Sequence, residues 1–178
     1  MANLIHLACR DDQGQLRIVV ETPKGSPAKI KYDPELQVFE LQRFLAGARY
    51  PYDWGFVPGT LAEDGDPLDA MVLFDGHTWP GVVIPAVGIG LLKLRESKAD
   101  EAQPRRNDRV IAVPAARTRG HAPSQLATET RTLLEQFFVA TGELANKRVS
   151  IEGWGGESEV ADAVQRAAAA YDAKQAKR

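Results

Sequence analysis

The chain is poor in several things, and each shortage excludes something. It has one cysteine, Cys9, in 178 residues. That leaves no internal disulfide framework and no cysteine-rich zinc site. It lacks a surplus of either charge: 22 Lys and Arg face 24 Asp and Glu, for a net charge of −2. A general nucleic-acid binder would carry a basic footprint over its whole surface, so the prediction is no nucleic-acid partner. It lacks a long apolar run. The longest, Val82 to Leu92, is interrupted by Pro85, Gly88 and Gly90. It falls short of the roughly 20 residues a spanning helix needs, so no membrane association is expected. MANLIHLACRDD has no basic leader, and acids follow soon after a short apolar stretch. It makes a poor signal peptide, and the cytoplasm is the expected compartment. The three histidines, His6, His77 and His121, show no ligand spacing. There is no Walker-type loop and no Gly-x-Gly-x-x-Gly.

What is present is an ordinary globular balance, 44% hydrophobic and 26% charged. The length predicts a single domain over residues 1–178. Its barrel part lies at about 15–115 and its helical part at about 123–178. Short runs rich in β-branched and aromatic residues predict strands. They fall at Leu16–Glu21, Lys29–Tyr32, Val38–Leu45, Trp54–Val57, Ala70–Phe74, Val82–Leu94 and Arg109–Val113. Pro51, Pro58, Pro67 and Pro80 punctuate them. Many short strands with Gly/Pro turns argue for a closed barrel or a sandwich. From Ser124 to Val139 the apolar period becomes helical, with Pro123 and Ser124 as the start and Gly142 as the end. Val149–Ile151 reads as a brief strand and Glu157–Lys174 as a second helix. The class is mainly β with α (α+β). Residues 95–108, RESKADEAQPRRND, are the least hydrophobic stretch. They read as a solvated loop, either a lid or an idle surface segment.

The sharpest chemical feature is Asp64-Gly65-Asp66-Pro67-Leu68-Asp69. Gly65 frees the turn and Pro67 fixes one dihedral, so the turn can point several carboxylates at one spot. Crowded carboxylates repel unless a divalent cation sits among them. Hard oxygen ligands favour Mg²⁺ or Mn²⁺ and admit Ca²⁺. The competing reading is an acidic surface turn whose side chains cap backbone amides. An EF-hand is excluded by Pro67 and by the wrong register. An aspartyl-nucleophile phosphatase would place its Asp pair after a buried parallel strand, and Thr60-Leu61-Ala62-Glu63 is no such strand. Lys29 and Lys31 lie two apart and share a strand face. With Arg43 and Arg109 they could bind a multiply charged anion. Tyr50, before Pro51, could donate its hydroxyl to a phosphate or could simply be core.

In order, Glu21-Thr22-Pro23-Lys24-Gly25-Ser26, Lys29, Tyr32-Asp33-Pro34-Glu35-Leu36, Arg43, Tyr50-Pro51, Gly55-Phe56-Val57-Pro58 and DGDPLD at 64–69 resemble the family I soluble inorganic pyrophosphatases. The match is colinear from about residue 16 to 114 and resumes at Val149–Trp154. The resemblance implies an OB-like five-stranded β-barrel flanked by C-terminal helices. It also implies Mg²⁺-dependent hydrolysis of pyrophosphate to two orthophosphates, with Mn²⁺ as the alternative ion. Carried over by position, Asp66 would take the proton of the attacking water. Asp64 and Asp69 would hold metal. Lys29, Arg43, Tyr50 and Arg109 would contact substrate, with Glu21 and Lys31 behind the direct ligands. Glu96 best fits a further metal carboxylate. Asn107 stands where the family has an aspartate, and a one-residue slip would bring in Asp108 instead. The family usually has a carboxylate at Lys31, a tyrosine at Trp54 and a Tyr-Lys pair at Thr141-Gly142. The cation at Lys31 repels metal, which implies that one outer metal is lost or that Lys31 stands in for it. The departures at Trp54 and Thr141-Gly142 imply a thinned phosphate rim and weaker substrate binding, with the chemical step partly kept. Relatives form closed homo-oligomers, and the same is expected here. Two other functions compete: a pyrophosphatase-like binding protein with weakened catalysis, and a hydrolase of another diphosphate compound.

Overall fold

The computed structural model describes residues 3–98, 103–117 and 126–177. Strand β1 (Leu16–Thr22) is almost wholly buried, as its Ile-Val-Val run requires. It pairs antiparallel with β4 (Asp53–Val57), which pairs antiparallel with β5 (Leu68–Val72). A parallel pairing follows to β8 (Arg109–Pro114), and β8 lies antiparallel to the long β6 (Val83–Lys98). Strand β6 then pairs back to β1 through Leu16–Ala86 and Val19–Val83. The ring closes with five strands, the OB-like barrel that the resemblance implied. The hairpin of β2 (Ala28–Asp33) and β3 (Val38–Phe44) forms a separate two-stranded sheet. Beyond the ring, β6 also carries β7 (Arg105–Arg106) and β9 (Lys147–Gly155). Helices α1 (Thr128–Glu143) and α2 (Glu157–Gln175) flank the barrel.

Alternation along the strands divides the core between the two helices, because successive side chains take opposite faces. Ala70, Val72, Val110, Ala112 and Leu91 pack with Val160, Ala163, Val164 and Ala167 of α2. The intervening Met71, Ile111, Leu92 and Leu94 pack with Leu134, Phe137 and Phe138 of α1. No helix among the described residues is long and apolar enough to cross a membrane.

Two expectations change, and a third falls outside the described residues. Part of the expected loop at 95–108 is ordered ladder: Arg95 pairs with Arg106 and Glu96 with Arg105, while residues 99–102 lie outside the described residues. The expected helix start at Pro123-Ser124 also lies outside them, and α1 is described from Thr128. Gly142 does not end α1 but sits within it, buried. A Cβ there would come within 2.3 Å of Val149 Cγ2, so the glycine serves close packing of α1 on β9.

Candidate active site

The hairpin, the turn before β5, the far end of β6, the start of β8 and the C-terminal end of α1 converge on a cavity of about 180 Å³. Lys29 and Arg43 reach it from one rung of the hairpin, directly opposite each other. Like charges so placed repel. Burial pushes the Lys29 ammonium below its ordinary value, and neighbouring Arg43 adds to that fall. The Arg43 Nε is buried without a partner. A cation pair held at this cost, with a donor unmet, is the arrangement an incoming polyanion would satisfy.

Facing it is the acidic turn. Gly65 has φ +92°, a left-handed conformation that a side chain would strain. The Asp64 carboxylate accepts from the Asp66 amide at 3.1 Å, and the Ala62 amide donates to the Asp66 carbonyl at 2.8 Å. So the capping that an acidic surface turn would show does occur, yet Asp64, Asp66 and Asp69 all line the cavity. Thr60 anchors the turn's exit by accepting from the Leu68 amide at 2.9 Å.

Arg109 is the hub. It is 4% exposed, lies 5.3 Å from the centroid of the Trp54 ring and 5.7 Å from that of Phe138, and ion-pairs with Asp69 and with Glu96 (2.6 Å). It also donates to the Asn107 side chain. Lys147 of β9 reaches Glu96 at 2.7 Å, and Lys31 reaches Asp66 at 2.7 Å. Glu21 is 5% exposed behind them and accepts from the Tyr32 amide at 2.8 Å. Burial pushes its carboxyl up to about 7, against the lowering effect of that amide. Burial also raises Asp64 and Asp69. Glu96 is raised by burial but held below its ordinary value overall by Arg109 and Lys147. Tyr50, 5% exposed, packs edge-on against Phe137 at 5.1 Å and lines the cavity beside Arg43.

Of the residues singled out in the sequence, Glu21, Lys29, Lys31, Arg43, Tyr50, Asp64, Asp66, Asp69, Glu96 and Arg109 therefore meet in one cavity. Asp108 is not among them. It turns to the other face, where it pairs with Arg106 at 2.7 Å and lines a separate groove against α2. Asn107 takes the cavity-facing position. Alternation along the strand start explains the exchange, since neighbours on an extended chain point oppositely. Lys147 went unnoticed in the sequence. The available signal was that it shares parity with Val149 and Ile151, both packed toward α1.

Comparison with known proteins accords with this geometry. The family model of inorganic pyrophosphatase matches residues 18–172. This chain belongs to the inorganic pyrophosphatase family. It is 36% identical over 180 residues to the inorganic pyrophosphatase of Thermus thermophilus, covering 96% of this chain and 99% of that one. It is 35% identical over 173 residues to that of Nostoc sp., covering 95% and 99%. The crystal structure of the T. thermophilus pyrophosphatase superposes with a TM-score of 0.83 over 96% of this chain and 99% of that one, at 32% identity. The Helicobacter pylori pyrophosphatase gives 0.81 over 93% and 98%, at 28% identity.

Family I pyrophosphatases are metal-dependent, generally on Mg²⁺. The donor chemistry of this pyrophosphatase cavity fits such an ion. Asp64 and Asp69 present hard carboxylate oxygens, and Asp64 has no ion pair among the described residues. The fit stops at donor type, because no three His, Cys, Asp or Glu side chains are grouped to hold an ion as they stand among the described residues. The other carboxylates already have partners. Glu21, Asp64, Asp66, Asp69 and Glu96 are matched in number by Lys29, Lys31, Arg43, Arg109 and Lys147. Trp54, Thr141 and Gly142 also line the pyrophosphatase cavity. The Thr141 hydroxyl donates to the Phe137 carbonyl at 2.8 Å, within its own helix.

Proposed function

We propose that this chain hydrolyses inorganic pyrophosphate to two orthophosphates with Asp66 as the proton acceptor. The observation that carries the reading is the opposition of Lys29 and Arg43, with its unpartnered Nε, to the acid turn at 64–69 across one small cavity. Asp64 and Asp69 would hold Mg²⁺, with Mn²⁺ as a substitute and Glu96 as a further carboxylate. Asp108 has no part, because it faces the groove against α2. When bound, the ion lowers the pKa of a coordinated water and withdraws charge from phosphoryl oxygens.

The protein's own groups supply the rest. Lys29 and Arg43 grip one phosphoryl group, and the arginine fork can do so through two parallel hydrogen bonds. Arg109 contributes positive charge from beneath, held in place by Asp69, Glu96 and Asn107. Tyr50 offers its hydroxyl at the same wall. Asp66, paired with Lys31 at 2.7 Å, accepts a proton from water at its carboxylate. Phosphoryl transfer asks for positioning and charge neutralisation above all, and this wall provides both. Glu21 and Lys31 act behind the direct contacts.

Residues 1–178 act as one domain in this reading, in the cytoplasm and as a closed homo-oligomer, with no nucleic-acid or membrane partner. Neither a purely binding role nor another diphosphate substrate is favoured by any feature of the cavity. The test is phosphate release from pyrophosphate with Mg²⁺, with and without a chelator, for wild type and Asp66→Asn. Loss of a positioned general base costs about 10²–10⁴-fold in rate. Wild-type protein inert toward pyrophosphate, or Asp66→Asn as fast as wild type, would refute the reading.

A further inference from the structure

The cavity has balanced its own charge. Five acids meet five bases, and three of the acids are already ion-paired to side chains of the chain itself. Asp69 and Glu96 share Arg109, which is buried and cannot leave without abandoning the Trp54 and Phe138 rings. Lys31 differs. It comes from the hairpin, is 38% exposed, and reaches across to Asp66 Oδ2 at 2.7 Å over 35 residues of sequence. Burial pulls its ammonium down, but Asp66, Glu21 and Asp69 more than restore it, so it stays charged. A fixed ammonium beside Asp66 does locally what a divalent ion would do there. It cancels the carboxylate's charge and repels a second cation from the same place.

We propose that Lys31 is a built-in counter-ion that takes the neutralising role of a divalent cation beside Asp66, so that the chain loads fewer ions than its carboxylates could hold. The inference rests on the metal-assisted reading above, and it makes Lys31 a positioning residue. It acts through Asp66, holding that carboxylate at 2.7 Å where it lines the cavity. The cation requirement of the reaction is thereby met partly by the polypeptide.

Counting ions tests this without relying on turnover. The full-length chain, stripped with a chelator, is titrated with Mn²⁺, and free Mn²⁺ is read by electron paramagnetic resonance. Wild type, Lys31→Glu and Lys31→Gln are compared, with circular dichroism confirming that each is folded. Lys31→Glu is expected to bind one more ion per chain than wild type. Lys31→Gln is expected to bind Mn²⁺ about tenfold tighter or better, because one unit of repulsion is removed. Identical counts and affinities in all three proteins, or no Mn²⁺ bound by any, would overturn the inference. Phosphate release from pyrophosphate is followed in the same samples. Turnover with unchanged ion counts removes the Lys31 inference and leaves the proposed function standing. A raised count with no turnover in any form does the reverse.

Discussion

Replacing Arg109 by methionine probes the site at its most committed point. The side chain is 4% exposed, and its partners Asp69 and Glu96 are only 21% and 15% exposed, so water screens little of the interaction. Methionine keeps apolar contact with Trp54 and Phe138 while removing the charge, so the deficit reports electrostatics rather than a void. Deleting one member of a buried ion pair costs about 3–5 kcal/mol, because the partner is left uncompensated. For a chain of this length that is a fall in Tm of about 6–20 °C. The pH dependence is also determined. In wild type, Glu96 is held below its ordinary value, which adds stability above the unfolded pKa and is lost as pH falls through the folded one. Without Arg109 that contribution shrinks, and Asp69, already raised by burial, rises further. A raised carboxyl takes up a proton on folding, so its contribution is present at acid pH and lost as pH climbs through the folded value. The deficit of Arg109→Met should therefore be small near about pH 4 and large near about pH 8. Urea unfolding across that range measures it. A deficit below about 1 kcal/mol at the alkaline end, or one that grows toward acid, would refute the reasoning.

Two further predictions follow from single contacts. Asp53 is fully buried and accepts from the Lys24 amide (2.7 Å), the Thr78 amide (3.0 Å) and the Thr78 hydroxyl (2.7 Å). Asp53→Ala should cost about 3 kcal/mol or more in urea unfolding while leaving residual turnover measurable, because it ties two loops together away from the cavity. At the rim, Thr141 keeps its hydroxyl on the Phe137 carbonyl and Gly142 has no side chain, so neither position supplies a donor to phosphate, and each hydrogen bond to a charged group is worth about 1.5–3 kcal/mol. KM for pyrophosphate should then exceed that of the T. thermophilus relative by about tenfold or more, measured side by side, and an equal KM would count against a thinned rim.

The strands were legible because β-branched runs between Gly/Pro turns carry their own signal, and all eight expected strands occur, shifted at the edges by a few residues. Strand β6 was read short because Arg95, Glu96 and Ser97 look like loop in composition. Their place in the ladder comes from β7 and β9, which lie more than a turn away in sequence and leave no local trace. The same holds for Gly142, where a helix-ending residue is kept inside a helix by the approach of Val149. At the site, the order of acids and bases along the chain pointed to the cavity-lining set. The partners of those residues were not readable: Lys147 on Glu96 and Lys31 on Asp66 are tertiary facts. Choosing between Asn107 and Asp108 required knowing which side of an extended segment faces inward.

Strand β6 hydrogen-bonds to β1, β7, β8 and β9 and carries Glu96 near its tip. The parity of that tip decides the sign of the wall it presents. Slipping the strand by one position would turn Glu96 outward and bring Arg95 or Ser97 in, replacing an acid with a base or a neutral group. Four partner strands, each with its own rungs, make such a slip costly. The lattice of backbone bonds thus guards polarity at a spot where no individual side chain could enforce it.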